Sequence, residues 1–376
     1  MRLLIRRSLL ALSVAFAGAC ASPGMPPGGP VDAEAPQVVD IAPDSGKVGT
    51  TPRAVIFRFN EVVSERPSGA PSLSALFLIS PRDGEPRVDW SRDEISVRPR
   101  RGWRSNTAYS ITLLPGLSDL RGNTRNTGVV TMFATGSAIP ASRIRGTLYN
   151  WAEGRAITRG GVVQAWPRGD TALVYITTTD SAGAYDLTSL PPGQYVVRGL
   201  SDDNNNRGLD RREPWDTVAV TLADSARVNL YGFIHDSLGT RLQGATLLDS
   251  VTLNLSFDTP IDIAQPITPA EVRVRAPDSS DIAVVSVTTP PPDTTAAVRA
   301  LGRPIPPRSI TVKLAQPVRP KTNYRVRVAR IVSLAGITRS GDVLLSVPAA
   351  LPVRPAPATS TTTVPPAPPP PAPIRR

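Results

Sequence analysis

Short segments in which apolar and polar residues alternate recur along most of this chain. Tyr109-Ser110-Ile111-Thr112-Leu113 is the clearest, and Val55-Ile56-Phe57-Arg58-Phe59 and Ile95-Ser96-Val97-Arg98 follow the same pattern. A period of two puts alternate side chains on opposite faces of a strand, and Gly, Pro, Asn and Asp between such segments indicate turns. No long helical periodicity interrupts them, so the pattern predicts an all-β chain of tandem sandwiches. A length of 376 residues allows two or three domains.

The first predicted module covers residues 35–138, and its last strand is expected near Val129–Thr135. Five short motifs stand in order within it: Pro43-Asp44-Ser45-Gly46, Phe59-Asn60-Glu61, Asn106-Thr107-Ala108-Tyr109, Asp119-Leu120-Arg121-Gly122-Asn123 and Phe133-Ala134-Thr135. This ordered set resembles the bacterial Ig-like domain named after the S-layer protein SbsA. Gly122 and Asn123 suit a turn with positive φ, and Phe59 and Tyr109 supply core aromatic rings.

The second predicted module covers residues 143–234. Its motifs run from Thr179 to Leu187 and from Leu190 to Val197, and they resemble the transthyretin-like or carboxypeptidase-regulatory-like sandwich, which is related to CnaB modules. We expect Asp180–Gly183 to form a hairpin turn and Tyr185 and Leu187 to share one strand face. The resemblance implies a spacer or binding scaffold. We also expect this module to fold alone, with Tyr195 in its core.

The third predicted module, residues 236–349, is an internal repeat of the first. Three of its segments echo segments of the first module, in the same order: Val251–Asp258 echoes Val55–Asn60, Ile310–Lys313 echoes Ile95–Arg98, and Thr322–Val328 echoes Thr107–Leu113. A proline-rich stretch, Thr289–Pro307, is expected to be a long surface loop.

Residues 1–20 have the features of an export signal. Three arginines precede a short apolar run, and Ala17-Gly18-Ala19 precedes Cys20, the only cysteine of the chain. The arrangement resembles the bacterial lipoprotein signal, although Ala17 departs from the usual aliphatic residue. The resemblance implies a membrane lipid anchor on Cys20, and Ala21 after the cysteine is similar to lipoproteins of the outer membrane of diderm bacteria. The alternative is an ordinary signal peptide.

The segments that flank the modules are poor in core-forming residues. Residues 21–34 are rich in Pro and Gly and predict a flexible tether, and residues 350–376 form a Pro-rich tail that predicts disorder or polyproline II structure. The formal net charge is +11, or +8 once the three arginines of a cleaved signal are subtracted. A basic excess favours anionic partners, here an envelope polymer or a surface protein rather than nucleic acid.

Residues 202–213 are the best candidate site for a cofactor. The sequence Asp-Asp-Asn-Asn-Asn-Arg-Gly-Leu-Asp-Arg-Arg-Glu resembles the calcium loops of EF-hand-like and SdrD-type B repeats. The spacing assigns oxygen ligands to Asp202, Asn204, Asn206, the Gly208 carbonyl, Asp210 and a bidentate Glu213. Arg207 stands at the sixth position, where Gly is usual, and the loop carries two further arginines. The alternative is a polar loop that only joins two strands.

Two other places were considered for binding or catalysis. Arg98, Arg100, Arg101 and Arg104 surround Trp103, and such interleaving could bind a glycan, although charged side chains also protect sheet edges. His235 is the only histidine, and a catalytic triad or a histidine metal site needs partners that the sequence does not indicate. No pattern marks a pair of catalytic carboxylates.

Together these features predict a non-enzymatic envelope lipoprotein with a structural, adhesive or spacer role. The first alternative is a module that binds glycan or peptide, and the second is a carboxylate-dependent glycan hydrolase. A binder should present an aromatic patch or a groove lined by Trp residues. A hydrolase should present two close carboxyl groups in a cleft. A spacer should present neither.

Overall fold

The computed structural model describes residues 32–290 and 301–352. These residues form an all-β structure of twenty-four strands, β1–β24, with two short 3-10 helices. No helix in the described ranges has the length and apolar character needed to cross a membrane. The predicted lipid-attachment residue Cys20, the predicted tether up to residue 31 and the predicted tail from residue 353 lie outside the described residues. The fold class predicted from the alternating segments is confirmed.

The first sandwich consists of a four-stranded sheet, β1-β2-β5-β4, and a three-stranded sheet, β3-β6-β7. A 3-10 helix, Ser74–Leu76, leads into β3. The strands are β1 (Val38–Ala42), β2 (Val55–Phe59), β3 (Phe77–Ser80), β4 (Arg87–Ser91), β5 (Glu94–Arg98), β6 (Ala108–Leu113) and β7 (Val129–Ala134). Phe57 and Phe77 pack in its core with ring centroids 5.3 Å apart. Gly122 has the expected positive φ of 93°, whereas Asn123 does not share it.

The second sandwich contains a sheet β11-β10-β13-β14 and a sheet β12-β8-β15, with β9 and β16 also paired to β8. Its strands are β8 (Arg143–Asn150), β9 (Arg155–Ala156), β10 (Gly161–Pro167), β11 (Tyr175–Thr178), β12 (Ala184–Leu187), β13 (Gly193–Ser201), β14 (Trp215–Leu222), β15 (Ser225–Arg227) and β16 (Leu230–Gly232). Because β11 and β12 belong to different sheets, Asp180–Gly183 is a crossing between sheets and not a hairpin turn, and that prediction is wrong. The Asp180 carboxylate accepts hydrogen bonds from the Ala182 and Ala184 amides, which holds the turn tight.

The core of the second sandwich contains the aromatic residues that the sequence singled out. Tyr185 and Leu187 share one face of β12 and are both buried. Tyr195 is 3% exposed, and its hydroxyl donates to the Pro191 carbonyl at 2.7 Å. Burial raises the pKa of Tyr195 to about 12. The ring therefore packs inside the sandwich, and only its hydroxyl is hydrogen-bonded to the turn that precedes β13.

The third sandwich repeats the architecture of the first. Its strands are β17 (Leu242–Asp249), β18 (Thr252–Phe257), β19 (Val272–Arg275), β20 (Asp281–Ile282), β21 (Val284–Thr288), β22 (Ser309–Leu314), β23 (Asn323–Val332) and β24 (Thr338–Ser346). The sheet β17-β18-β22-β21 has the same order as β1-β2-β5-β4, and a 3-10 helix, Pro269–Glu271, again precedes the first strand of the other sheet, β20-β19-β23-β24. The three sequence echoes fall on equivalent strands: β2 and β18, β5 and β22, β6 and β23.

Contacts divide the chain into two compact units. Among the described residues, the first holds 32–79, Gly84–Thr107 and Ile111–Ser137, and the second holds Ser80–Asp83, Ala108–Ser110 and the described residues from Ala138 onward. The second unit therefore contains both the second and the third sandwich. That residues 143–234 fold alone stays a prediction; the second sandwich has a core cluster of its own.

The described part of the proline-rich stretch explains the grouping. Trp151 Nε1 donates to the Pro304 carbonyl at 2.8 Å, and the Tyr231 hydroxyl donates to the Leu301 carbonyl at 2.6 Å. Leu301 is fully buried, so residues 301–304 are not the surface loop that was predicted. A fragment that ends at residue 234 would lose these contacts.

Candidate metal centre

The predicted calcium loop joins two neighbouring antiparallel strands, β13 and β14. Because Leu200 pairs with Trp215 at the end of this ladder, the first and last loop positions, Asp202 and Glu213, lie at its base. Both side chains are buried, at 4% and 5% exposure. Carboxylates are rarely this buried unless a charge or hydrogen-bond donors compensate them, so the loop is unlike an ordinary polar connector.

Backbone amides of the loop compensate Asp202. Its Oδ1 accepts from the Asn206 amide and its Oδ2 from the Arg207 amide, both at 2.9 Å. Asn204 Oδ1 also accepts from the Asn206 amide, at 3.0 Å. Asn206 Oδ1 accepts from the Gly208 amide at 2.6 Å. The predicted ligands thus shape the turn themselves, and each of these carbonyl or carboxylate oxygens retains a second lone pair.

Glu213 is compensated on one side only. Its Oε1 accepts from the Asp203 amide at 3.0 Å, whereas its Oε2 is buried and has no hydrogen-bond partner. Burial raises the pKa of Glu213, and the negative charges of Asp202 and Asp210 add to the rise, whereas the Asp203 and Asn204 amides oppose it. When Glu213 is ionised, its buried Oε2 therefore carries negative charge without a donor or a cation beside it.

The sixth loop position keeps the backbone shape that Gly would give. Arg207 has a φ of +53°, in the left-handed region that favours glycine. Its carbonyl accepts from Gln164 Nε2 at 2.9 Å and from Arg82 Nη1 at 2.8 Å, and both donors belong to the same unit as the loop. Arg211 and Arg212 are exposed, so solvent and salt screen their charges.

The three carboxylates predicted as ligands, Asp202, Asp210 and Glu213, do not converge tightly. Of the described residues, only Asp32, Glu61 and Asp119 form a group of three acidic side chains whose ligand atoms all lie within 4.8 Å of one another. Asp210 Oδ1 accepts from the Arg212 amide at 2.9 Å. Asp202, Asp210 and Glu213 would therefore have to draw together to surround one ion.

The group of Asp32, Glu61 and Asp119 belongs to the first unit and was not predicted as a site. Asp119 is buried, and its oxygens accept from the Arg121 amide, the Asn123 amide and Asn123 Nδ2 at 2.8–2.9 Å. Although burial alone would raise it, these hydrogen bonds lower the pKa of Asp119. Burial raises the pKa of Glu61, and Asp32, Asp119 and Glu34 add to the rise. Both Glu61 and Asp119 lie in motifs that the sequence marked for the fold only.

The predicted basic cluster around Trp103 lies in the first unit. Arg100, Arg101 and Arg104 are exposed, whereas Arg98 is half-buried and lies 3.6 Å from Asp89. Trp103 Nε1 donates to the Pro52 carbonyl at 2.6 Å, and its ring meets Phe133 edge-on at 4.9 Å. The Trp103 ring is therefore partly occupied by contacts with Pro52 and Phe133. Ligand binding at this cluster stays a prediction.

His235 stacks on two aromatic rings of the second sandwich. Its ring centroid lies 3.7 Å from that of Trp215 and 3.9 Å from that of Phe233. Burial lowers the pKa of His235, against smaller raising effects of the Phe233 carbonyl and Asp216. The imidazole thus belongs to an aromatic stack, and nothing in this geometry resembles a catalytic triad.

The comparisons with known proteins define the class of the first module. Residues 32–135 match the model of a family described as the bacterial Ig-like domain. No curated protein matches the sequence.

Several solved structures are similar at low identity. The N-terminal part of the bacterial S-layer protein SbsC is 16% identical, with 30% of this chain and 24% of that chain covered and a TM-score of 0.22. The Bacillus anthracis TIE protein is 10% identical, with 85% and 56% covered and a TM-score of 0.18. An L,D-transpeptidase from Mycobacterium smegmatis is 17% identical, with 53% and 76% covered and a TM-score of 0.20. The chain thus spans about a quarter of the first protein and just over half of the second. At these TM-scores the similarities carry no argument about what this chain does.

Proposed function

We propose that this chain is a non-enzymatic structural protein of the bacterial cell envelope, held by a lipid on Cys20, in which calcium fixes the second sandwich. The observation that carries the calcium part is the buried Glu213 Oε2, which has no partner and lies in the same loop as the buried Asp202. A divalent cation would supply the missing positive charge.

The donor set of the loop suits a hard cation. Asp202, Asn204, Asn206 and Asp210 can each offer one oxygen, the Gly208 carbonyl can add another, and Glu213 can offer two. The total falls within the six to eight oxygens that calcium prefers. Because the loop arginines lower the local negative charge and the three carboxylate ligands must draw together, we expect binding in the millimolar class of extracellular modules.

The test is thermal unfolding of the mature chain in EDTA and in about 10 mM calcium. With a dissociation constant of about 1 mM, calcium should stabilise the folded state by about 1.4 kcal/mol, or about 3–5 °C in Tm. Asp202→Ala and Glu213→Gln should lose the calcium-dependent shift, and magnesium should not replace calcium. The loop is only a connector if wild type shows no shift, or if both variants keep the full shift.

The envelope part of the proposal depends on the anchor. Cys20→Ala should move the protein from the membrane fraction to the soluble fraction, because stable attachment needs the several acyl chains that lipoprotein processing supplies. Unchanged membrane fractionation of this variant would remove the lipid anchor from the account. Density-gradient separation of the membranes tests the outer-membrane location that Ala21 suggests.

A further inference from the structure

The outer face of the sheet β11-β10-β13-β14 carries an arginine at its centre. Along β13, Tyr195 and Val197 pack into the core, so Arg198, the next residue, lies on the opposite face. The residues paired with it on the two neighbouring strands are Gln164 and Thr217, which are both uncharged. Arg198 thus has no acidic neighbour in the ladder.

Two tryptophans flank this arginine on the same face. Val163 and Ala165 of β10 face the core, which puts Trp166 on the outer side, and the same alternation along β14 puts Trp215 there. The Arg198 guanidinium carbon lies 4.8 Å from the Trp166 ring centroid and 5.8 Å from that of Trp215. Stacking on His235 at 3.7 Å holds the Trp215 ring in place. Arg198 and the two tryptophans are all half-buried. We call Trp166, Arg198 and Trp215 the Arg198 platform.

The charge of Arg198 is not compensated within the described part of the chain. Its Nε is buried without a hydrogen-bond partner, and the side chain forms no ion pair with a carboxylate. Arg275, by contrast, places its Nε 2.8 Å from Asp281. Burial lowers the pKa of Arg198. Aromatic faces offset part of the cost of desolvating a guanidinium, but they leave its hydrogen-bond donors unused.

We propose that the Arg198 platform binds an acidic glycan through the carboxylate of a uronic acid residue. The terminal Nη1 and Nη2 groups of Arg198, which unlike Nε are not buried, match a carboxylate in shape and charge. Arg198 lies over both indole rings and His235 covers one face of Trp215, so only the remaining exposed parts of the two rings are open to a ligand, and the C–H face of a pyranose ring can pack against them. The ligand must therefore bring one negative charge next to an apolar ring surface, which a chain of uronic acid residues does. The basic net charge, +11 for the full sequence and +8 without the three signal arginines, would help to attract such a polymer.

The combination of one charge with apolar ring surfaces distinguishes an acidic glycan from other polymers. Polyphosphate brings charge but no ring, and a neutral glycan such as dextran brings rings but no charge. A single-stranded oligonucleotide brings both, with flat bases in place of sugar faces. These three polymers therefore serve as the comparison ligands, and binding in EDTA separates this proposal from the calcium site.

The test is calorimetric titration of the mature chain with polygalacturonate oligomers in EDTA. Arg198→Gln should weaken binding about tenfold because a charge-assisted bidentate contact is lost. Trp215→Ala should also weaken it, and Arg198→Lys should restore only part of the affinity because the fork is missing. The matched control is Arg227→Gln, an exposed arginine of the same sandwich on β15, which should stay within about twofold because it removes only screened surface charge.

Three results would overturn the proposal. The first is no binding of polygalacturonate by wild type. The second is an equal loss in Arg198→Gln and Arg227→Gln, which would indicate nonspecific charge attraction. The third is binding of polyphosphate or of the oligonucleotide that is as strong as that of polygalacturonate and equally dependent on Arg198. Equal melting temperatures of wild type and Arg198→Gln would show that the variant is folded.

Discussion

Two acidic clusters of this protein differ in how their buried carboxylates are satisfied. In the first unit, Asp32, Glu61 and Asp119 bring their oxygens close together, and donors of the chain occupy the oxygens of the buried Asp119. In the second unit, the loop carboxylates are more widely spread, yet Glu213 Oε2 is buried without a partner. The two clusters thus separate two signs of a cation site: convergence of acidic side chains and a buried carboxylate oxygen without a partner. The proposed calcium site rests on the second sign, because burial without a partner costs free energy.

The largest expected effect concerns the acidic group of the first unit, in which Asp119 is fully hydrogen-bonded. Asp119→Ala should destabilise the first unit by about 2–4 kcal/mol, since the Arg121 amide, the Asn123 amide and Asn123 Nδ2 lose their acceptor. The loss should be the same in EDTA and in calcium. Denaturant unfolding in both conditions measures it, and a calcium-dependent loss would show that this cluster also holds a cation.

The next effect tests the unsatisfied carboxylate. Glu213→Gln keeps the shape of the side chain but removes its charge, so it should lose the calcium stabilisation of about 1.4 kcal/mol. In EDTA the variant should be no less stable than wild type, because burial already disfavours the charged form of Glu213. Thermal unfolding in calcium tests the loss of stabilisation, and thermal unfolding in EDTA tests the stability without metal. A variant that is less stable than wild type in EDTA would mean that the charge is compensated without a metal.

A smaller effect concerns the backbone of the loop. Arg207→Gly should stabilise the chain by about 0.5 kcal/mol, because relief of a left-handed φ slightly exceeds the entropy cost of glycine. It should also tighten calcium binding by removing a positive charge beside the loop. Arg207→Ala is the control, since it removes the charge but keeps the strain. If Ala and Gly have equal effects on stability, the φ of +53° at this position costs nothing.

The smallest expected effect is a pH dependence of stability whose sign differs with and without calcium. The folded-state pKa of Glu213 is raised, so without calcium the folded state binds this proton more tightly than the unfolded chain does. Its contribution to stability therefore falls as pH rises from the ordinary Glu value of about 4.3 to the raised pKa. Asp202 and Asp210 are the carboxylates that face it. With calcium the dependence should reverse, because calcium needs the ionised form. Melting temperatures across this window, compared with those of Glu213→Gln, would detect it.

Much of the fold was predictable because period-two patterns and repeated motifs report directly on strand faces. The similarity between Val55–Asn60 and Val251–Asp258 correctly identified β2 and β18 as equivalent strands of the two sandwiches. The crossing at Asp180–Gly183 was mistaken for a hairpin, because a tight turn looks the same in sequence whether its strands join one sheet or two. The burial of Leu301 was not predicted, because the high proline content of Thr289–Pro307 indicated a surface loop. In the structure, Leu301 and Pro304 accept hydrogen bonds from Tyr231 and Trp151.

The candidate sites show a similar limit. Oxygen spacing identified the loop from Asp202 to Glu213, but only the structure shows that Glu213 Oε2 has no partner. The Arg198 platform was not predictable, because Trp166, Arg198 and Trp215 come from three strands that meet only in the sheet. Sequence alternation gives the face of each residue, and the register between strands decides which residues become neighbours.

The most direct test of the account is the stoichiometry of calcium binding to the mature chain, measured by isothermal titration calorimetry. The account predicts one calcium ion per chain for wild type, one for Glu61→Gln in the first unit, and none for Glu213→Gln. No binding to wild type would contradict the account. So would an ion that persists in Glu213→Gln and disappears in Glu61→Gln, because it would place the cation in the cluster whose buried aspartate is already satisfied.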